Sequence, residues 1–65
     1  MTITVNGEAR EMSTDASVGD LVEAMGLPQR GIAIAVDGEV VPRGRWDRSL
    51  HDGAGIEIVT AVQGG

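Results

Sequence analysis

Ser17-Val18-Gly19-Asp20-Leu21-Val22-Glu23-Ala24-Met25-Gly26-Leu27-Pro28 reads as one short helix with both of its ends marked. Ser17 and Asp20 have the spacing of a capping box. The Ser hydroxyl accepts from the amide three residues on, and the acidic side chain reaches back to the cap amide at the positive end of the helix. Val18, Leu21, Val22 and Met25 fall at i, i+3, i+4 and i+7, so they form one apolar stripe that the helix must bury. Gly26 supplies the left-handed residue that ends it, Leu27 can fold back on the last turn, and Pro28 cannot continue it.

Both flanks of this helix read as hairpins. On the N-terminal side, Ile3-Thr4-Val5 alternates, Asn6-Gly7 offers the positive φ that a type I′ turn needs at both central positions, and Glu8 to Met12 returns. On the other side, Ile32-Ala33-Ile34-Ala35-Val36 is bulky on one face and small on the other, as suits a strand covered by the helix on its bulky side. Asp37-Gly38 repeats the turn chemistry, and Glu39-Val40-Val41 runs to a stop at Pro42, which has no N–H to give a ladder. Residues 43 to 55 form a polar connection in which Trp46 and Leu50 are the expected anchors. Ile56 to Val62 is then a β-branched strand with Ile56 and Ile58 on one face and Val59 and Ala61 on the other. The order is ββαββ, a connection, then β: an α+β chain forming a mixed sheet, its last strand parallel beside the first and its helix across one face. A single helix covers a single face, so the outer face, with Val59 and Ala61, meets water or a partner.

Composition narrows the function classes. The chain has 65 residues, which makes one domain over 1–65, with 10 acidic residues against 5 basic ones and a net charge of −5. That charge repels phosphate backbones and anionic lipid heads, so neither a nucleic acid nor a membrane surface is an expected partner. With no Cys and one His, a disulfide framework, a thiolate zinc site and an internal thiol nucleophile are excluded, and no metal or catalytic residue is expected. No apolar run approaches the roughly 18 residues of a membrane span, and no basic region precedes an apolar stretch at Met1. The expected location is the cytoplasm. His51 reads as a loop residue, and Gly53 and Gly55 do not open a helix as a phosphate-binding loop would.

Val40-Val41-Pro42-Arg43 followed by Trp46, and then Ile56 to Val62 running into Gln63-Gly64-Gly65, resembles the thiamine-biosynthesis sulfur carriers, a branch of the ubiquitin-like β-grasp superfamily. The resemblance covers the whole chain, and the Pro-Arg-x-x-Trp element separates this branch from its relatives. One position departs: the loop before the last strand usually reads Asp-Gly-Asp plus a polar or basic residue in the family, whereas here it is Asp52-Gly53-Ala54-Gly55, and the missing acid at Ala54 weakens the expectation of a specific polar contact from that loop.

The resemblance gives the tail a chemistry. A C-terminal carboxyl has an ordinary pKa near 3.5, so it is an anion and a poor electrophile. Transfer of an adenylyl group from ATP converts one oxygen into part of a leaving group, after which a sulfur nucleophile can displace AMP. By resemblance, a ThiF-like adenylating enzyme uses ATP to activate Gly65, and a persulfide from a cysteine desulfurase route supplies sulfur. A ThiG-like thiazole synthase takes that sulfur from the terminal thiocarboxylate. Val62, Gln63 and Gly64 would be recognised as the tail, with residues 63–65 flexible, since a chain end without Cβ can enter a narrow tunnel. Val59, Ala61, Arg43 and Trp46 are the candidate partner contacts, although Trp46 reads first as a plug for a core without Phe or Tyr. No stably bound cofactor is implied, and the free protein is expected to be a monomer. The alternatives are a molybdopterin synthase small subunit, a tRNA-thiolation carrier, or a ubiquitin-like interaction module with an inert end.

Overall fold

A computed structural model describes residues 1–60. Strands β1 (Thr2–Val5), β2 (Glu8–Glu11), β3 (Ile32–Val36), β4 (Glu39–Val40) and β5 (Gly55–Thr60) form one sheet in the order β2-β1-β5-β3-β4. Helix α1 (Val18–Ala24) lies between the two hairpins, and a single 3₁₀ turn spans Arg43–Arg45. β5 runs parallel to β1 and antiparallel to β3, so the last strand is inserted between the two hairpins and joins them.

The local signals behave as their chemistry dictates. Asn6 and Asp37 have φ of 51° and 52°, and Gly7 and Gly38 follow at 87° and 84°, so both tight turns carry positive φ at both central residues. Ser17 Oγ accepts from the Asp20 amide at 3.1 Å while Asp20 Oδ2 accepts from the Ser17 amide at 2.9 Å, which completes the capping box. At the other end Gly26 has φ +67°, its N–H donates to Glu23, and the Leu27 N–H donates to Val22. This is the paired closure of a Schellman motif. No basic residue lies in the last turn of α1. Arg10 of β2 reaches across to the Ala24 carbonyl at 3.4 Å instead and places its charge at the negative helix end.

Ile3 and Val5 of β1, Ile34 and Val36 of β3, and Ile56 and Ile58 of β5 share the face beneath α1, where Val18, Leu21 and Val22 meet them. Each such side chain withdrawn from water contributes roughly 1.5–3 kcal/mol before conformational entropy is counted. Met25 is half-buried at the edge of the same cluster.

Two boundaries differ from the sequence reading. β4 ends at Val40, with the Val41 N–H still donating to Ile34, and β5 is described to Thr60, leaving Ala61 and Val62 outside the described residues. The stretch from 43 to 50 is more than a connection. Val18 donates to the Arg48 carbonyl, Gly19 to the Trp46 carbonyl at 2.8 Å, and Leu50 to the Ala16 carbonyl. With Asp20 held by Ser17, the otherwise orphaned first amides of α1 are all satisfied by protein.

Candidate functional site

The site of interest is the root of the tail, where β5 approaches its end. Asn6 anchors it. The Asn6 amide N–H donates to the Ile56 carbonyl, its side-chain oxygen accepts the Ile58 N–H at 2.9 Å, and its Nδ2 donates to the Ile58 carbonyl at 3.2 Å. The side chain thus supplies one more rung of the parallel ladder after β1 has turned away. On the other flank Thr60 stands opposite Ile32 of β3. The strand is held from the β1 side as far as Ile58 and from the β3 side as far as Thr60.

Val59 projects from the outer face with 65% of its surface exposed, opposite Ala33, and Val40 of β4 is 68% exposed on the same face. Of the candidate contacts, Val59 is therefore available to a partner. Arg43 is exposed and, among the described residues, pairs with no acid; its Nη2 donates to Gln29 Oε1 at 3.2 Å. Trp46 is a core residue, 9% exposed, with its indole N–H donated to the Val41 carbonyl at 3.1 Å. Ala61, Val62, Gln63, Gly64 and Gly65 lie outside the described residues. Among the described residues there is no group of three or more His, Asp or Glu side chains placed to hold a metal ion, and no helix is long and apolar enough to cross a membrane.

The loop before β5 does make specific polar contacts, through Asp52 rather than through position 54. Asp52 Oδ1 accepts the Thr2 N–H at 2.9 Å and the Gly53 N–H donates to the Thr2 carbonyl at 2.8 Å, while Ala54 is fully buried. A carboxylate at 54 would have to be buried; the methyl group is not penalised there.

His51 also does more than occupy a loop. Its Nε2 lies 2.6 Å from Asp37 Oδ2 and its Nδ1 lies 2.9 Å from the Asp52 carbonyl. Both ring nitrogens face acceptors, which favours the doubly protonated ring. The bond to Asp37 first, and that to the Asp52 carbonyl second, hold the His51 pKa above its ordinary 6.5. The Gly55 N–H on Asp37 Oδ1 first, and His51 second, hold the Asp37 carboxyl below its ordinary 3.8. Together they fasten the β3–β4 turn to the start of β5.

A raised histidine pKa stabilises the fold fully below the unfolded value and ceases to do so as pH rises through the folded value; a lowered Asp37 value works above its unfolded pKa and is lost in acid. The urea midpoint of His51→Gln should therefore fall furthest below that of the parent near pH ~5.5, and the gap should narrow by pH ~8.5. Added salt should shrink it, because both side chains are exposed. A gap that stays constant across that range would mean that the pair does not titrate in this way.

Comparison with known proteins identifies the group to which this arrangement belongs. A family model described as ThiS family matches residues 3–65. The chain belongs to the ThiS family. It is 30% identical over 66 aligned residues to the sulfur carrier protein ThiS of Escherichia coli K12, covering the whole of both chains. It is 32% identical over 66 residues to a thiazole synthase of Paramagnetospirillum magneticum, and there it spans 20% of the relative's length. The crystal structure of the thiamine biosynthesis protein ThiS from Geobacter metallireducens superposes with a TM-score of 0.83 at 28% identity over the whole of both chains. A solution structure of a thiamine biosynthesis protein from that organism gives 0.82 at 26% identity, covering all of this chain and 88% of the other. The fold is thus the β-grasp of ThiS proteins.

Proposed function

We propose that this ThiS-family chain, a sulfur carrier for thiamine biosynthesis, carries its sulfur on the Gly65 carboxyl. What supports this reading above all is that the family match runs through Gly64 and Gly65 on a fold that holds the root of the tail from both sides. The carboxylate oxygen attacks the α-phosphorus of ATP on an adenylating enzyme and pyrophosphate leaves. The terminal sulfur of an enzyme persulfide then displaces AMP at the carbonyl carbon to give an acyl disulfide. A thiol cleaves its S–S bond, supplying two electrons and leaving as a disulfide with the enzyme's cysteine, and the thiocarboxylate so released delivers sulfur to a thiazole synthase. The chain is a cosubstrate of these enzymes, monomeric when free, and because the first step consumes ATP the reaction belongs to the cytoplasm.

The thiazole synthase relative supports the final acceptor, since a segment like this chain occurs within a protein of that name. Val59 and its neighbours on the outer face, Ala61 among them, are the surface on which the enzymes dock. Arg43 flanks that surface and Trp46 fixes the backbone beneath it. Val62, Gln63 and Gly64 form the thin stem that the enzymes recognise. Chain chemistry is compatible with this role: with neither Cys nor Lys in the sequence, no side-chain thiol or amine of its own can intercept the activated terminus.

Incubation with ATP, a ThiF-type adenylating enzyme, a persulfide donor and a thiol reductant should change the intact mass by one oxygen-to-sulfur exchange, located at Gly65 by fragmentation. An unchanged mass, in a reaction where a known carrier is loaded, would leave the chain an inert interaction module.

A further inference from the structure

Among the described residues the edge of β3 beyond β4 is open. In the β3–β5 pairing, Asp37 donates to the Gly55 carbonyl, so the alternate residues Ile32, Ile34 and Val36 turn their backbone groups toward the β4 side. β4 covers only part of that edge: it pairs Val36 with Glu39 and Ala35 with Val40. Val41 adds one bond, its N–H donating to Ile34, while its carbonyl accepts the Trp46 indole. Pro42 then has no N–H to give, and Arg43–Arg45 turns away as a 3₁₀ helix. No described segment continues the ladder beside Ile32.

Where a longer β4 would lie there is instead a hollow of about 450 Å³, walled by Ile32 and Ala33 on one side and by Val40 and Pro42 on the other. Arg30 and Arg43 stand on its rim, both exposed, with Arg43 donating to Gln29 Oε1, and among the described residues no acidic side chain lines it. In a chain of net charge −5 this is a cationic, half-apolar slot at an unpaired strand edge. An unpaired strand edge is a template for another chain, and Pro42 with the two cations blunts this one against general pairing, leaving it to a segment of opposite charge.

We propose that this stretch of the β3 edge receives an extended acidic segment of a partner polypeptide as a short added strand. The Ile32 N–H and carbonyl pair with its backbone, an apolar side chain packs against Ile32, and a carboxylate is held by Arg30 and Arg43. Backbone pairing supplies the binding and the two guanidiniums the selection for acid, the division of labour usual in strand addition.

The test is an NMR titration of the full chain with acetyl-Thr-Val-Glu-Val-Thr amide at up to millimolar concentration. Shifts should centre on the amides of Arg30, Gly31, Ile32 and Val40, and exchange of the Ile32 amide should slow. Replacing the Glu of the peptide by Gln should weaken binding about tenfold, as for loss of a charge-assisted contact. The double variant Arg30→Ala, Arg43→Ala should bind the two peptides equally, and a fully N-methylated peptide should not bind. The proposal is overturned by an absence of shifts at millimolar peptide, by shifts centred on Val59 that leave Arg30, Gly31 and Ile32 unmoved, or by equal binding of the N-methylated peptide. It is also overturned if inorganic phosphate reproduces the shifts at Arg30 and Arg43 while the peptide produces none.

Discussion

Trp46→Ala is expected to leave the chain unfolded at room temperature. Truncating a buried Trp costs about 3–5 kcal/mol, and a core of this size rarely supplies more than about 3–5 kcal/mol in total. The loss falls at a junction as well as in a core. The indole N–H is bonded to Val41, where β4 gives out, and the Trp46 carbonyl accepts the Gly19 N–H of the first turn of α1. Shifting this backbone would free the Gly19 amide of the first helical turn in addition to opening a cavity. The sequence has no Phe or Tyr to repack into the space. Trp46→Phe is the milder change, since it keeps a buried six-membered ring and removes the indole N–H with the pyrrole part of the ring, leaving the Val41 carbonyl without that donor at roughly 1–3 kcal/mol. It should stay folded with a lowered urea midpoint. Amide spectra and urea curves decide the matter: a cooperative, well-dispersed Trp46→Ala variant would show that the connection from 43 to 50 does not help to hold the helix.

That connection also shows where sequence reading stopped. Asn6-Gly7, Asp37-Gly38, Ser17 with Asp20, and Gly26-Leu27 were legible because each signal is complete within a few residues. It acts by restricting φ or by capping amides that are near neighbours in the chain. The alternation of Ile56, Ile58 and Val59 was legible for a similar reason: once one face is known to be core, the period of two assigns the other.

What stayed hidden are pairings between residues far apart in sequence that exist only after the sheet has assembled. Asn6 was readable as a turn former, but its second task, bonding both backbone groups of Ile58, depends on β5 lying beside β1. Asp37 was likewise readable as a turn residue and not as the acceptor that collects Gly55 and His51. The open edge of β3 was half visible in Pro42, whose missing N–H ends a ladder. That the ending leaves a slot rimmed by Arg30 and Arg43 required the path of the 3₁₀ turn.

Removal of Gly64 and Gly65 should abolish thiamine-independent growth while leaving the domain intact. Among the described residues the core closes at Ile58, and the outermost rung of β5 pairs Thr60 with Ile32. The melting temperature should therefore shift by no more than about 4 °C, the range of a change away from the core in a domain this small. The functional loss has a specific physical origin. The shortened chain still ends in a carboxylate, now on Gln63, with the same acidity and the same latent reactivity toward ATP. It lacks about 7 Å of extended reach and carries a Cβ where a bare backbone is needed. Misplacing a reacting group by ~1 Å can cost about a hundredfold in rate, so a deficit several times larger should leave no measurable loading. Gly65→Ala keeps the length and adds only a methyl group, so it reports on the width of the partner's channel. It should retain some loading, whereas the shortened chain retains none. In cells lacking the native gene, the full chain should restore growth without thiamine and the shortened one should not, with molybdoenzyme activity unchanged in both. Growth restored by the shortened chain would remove the carboxyl end from the chemistry altogether.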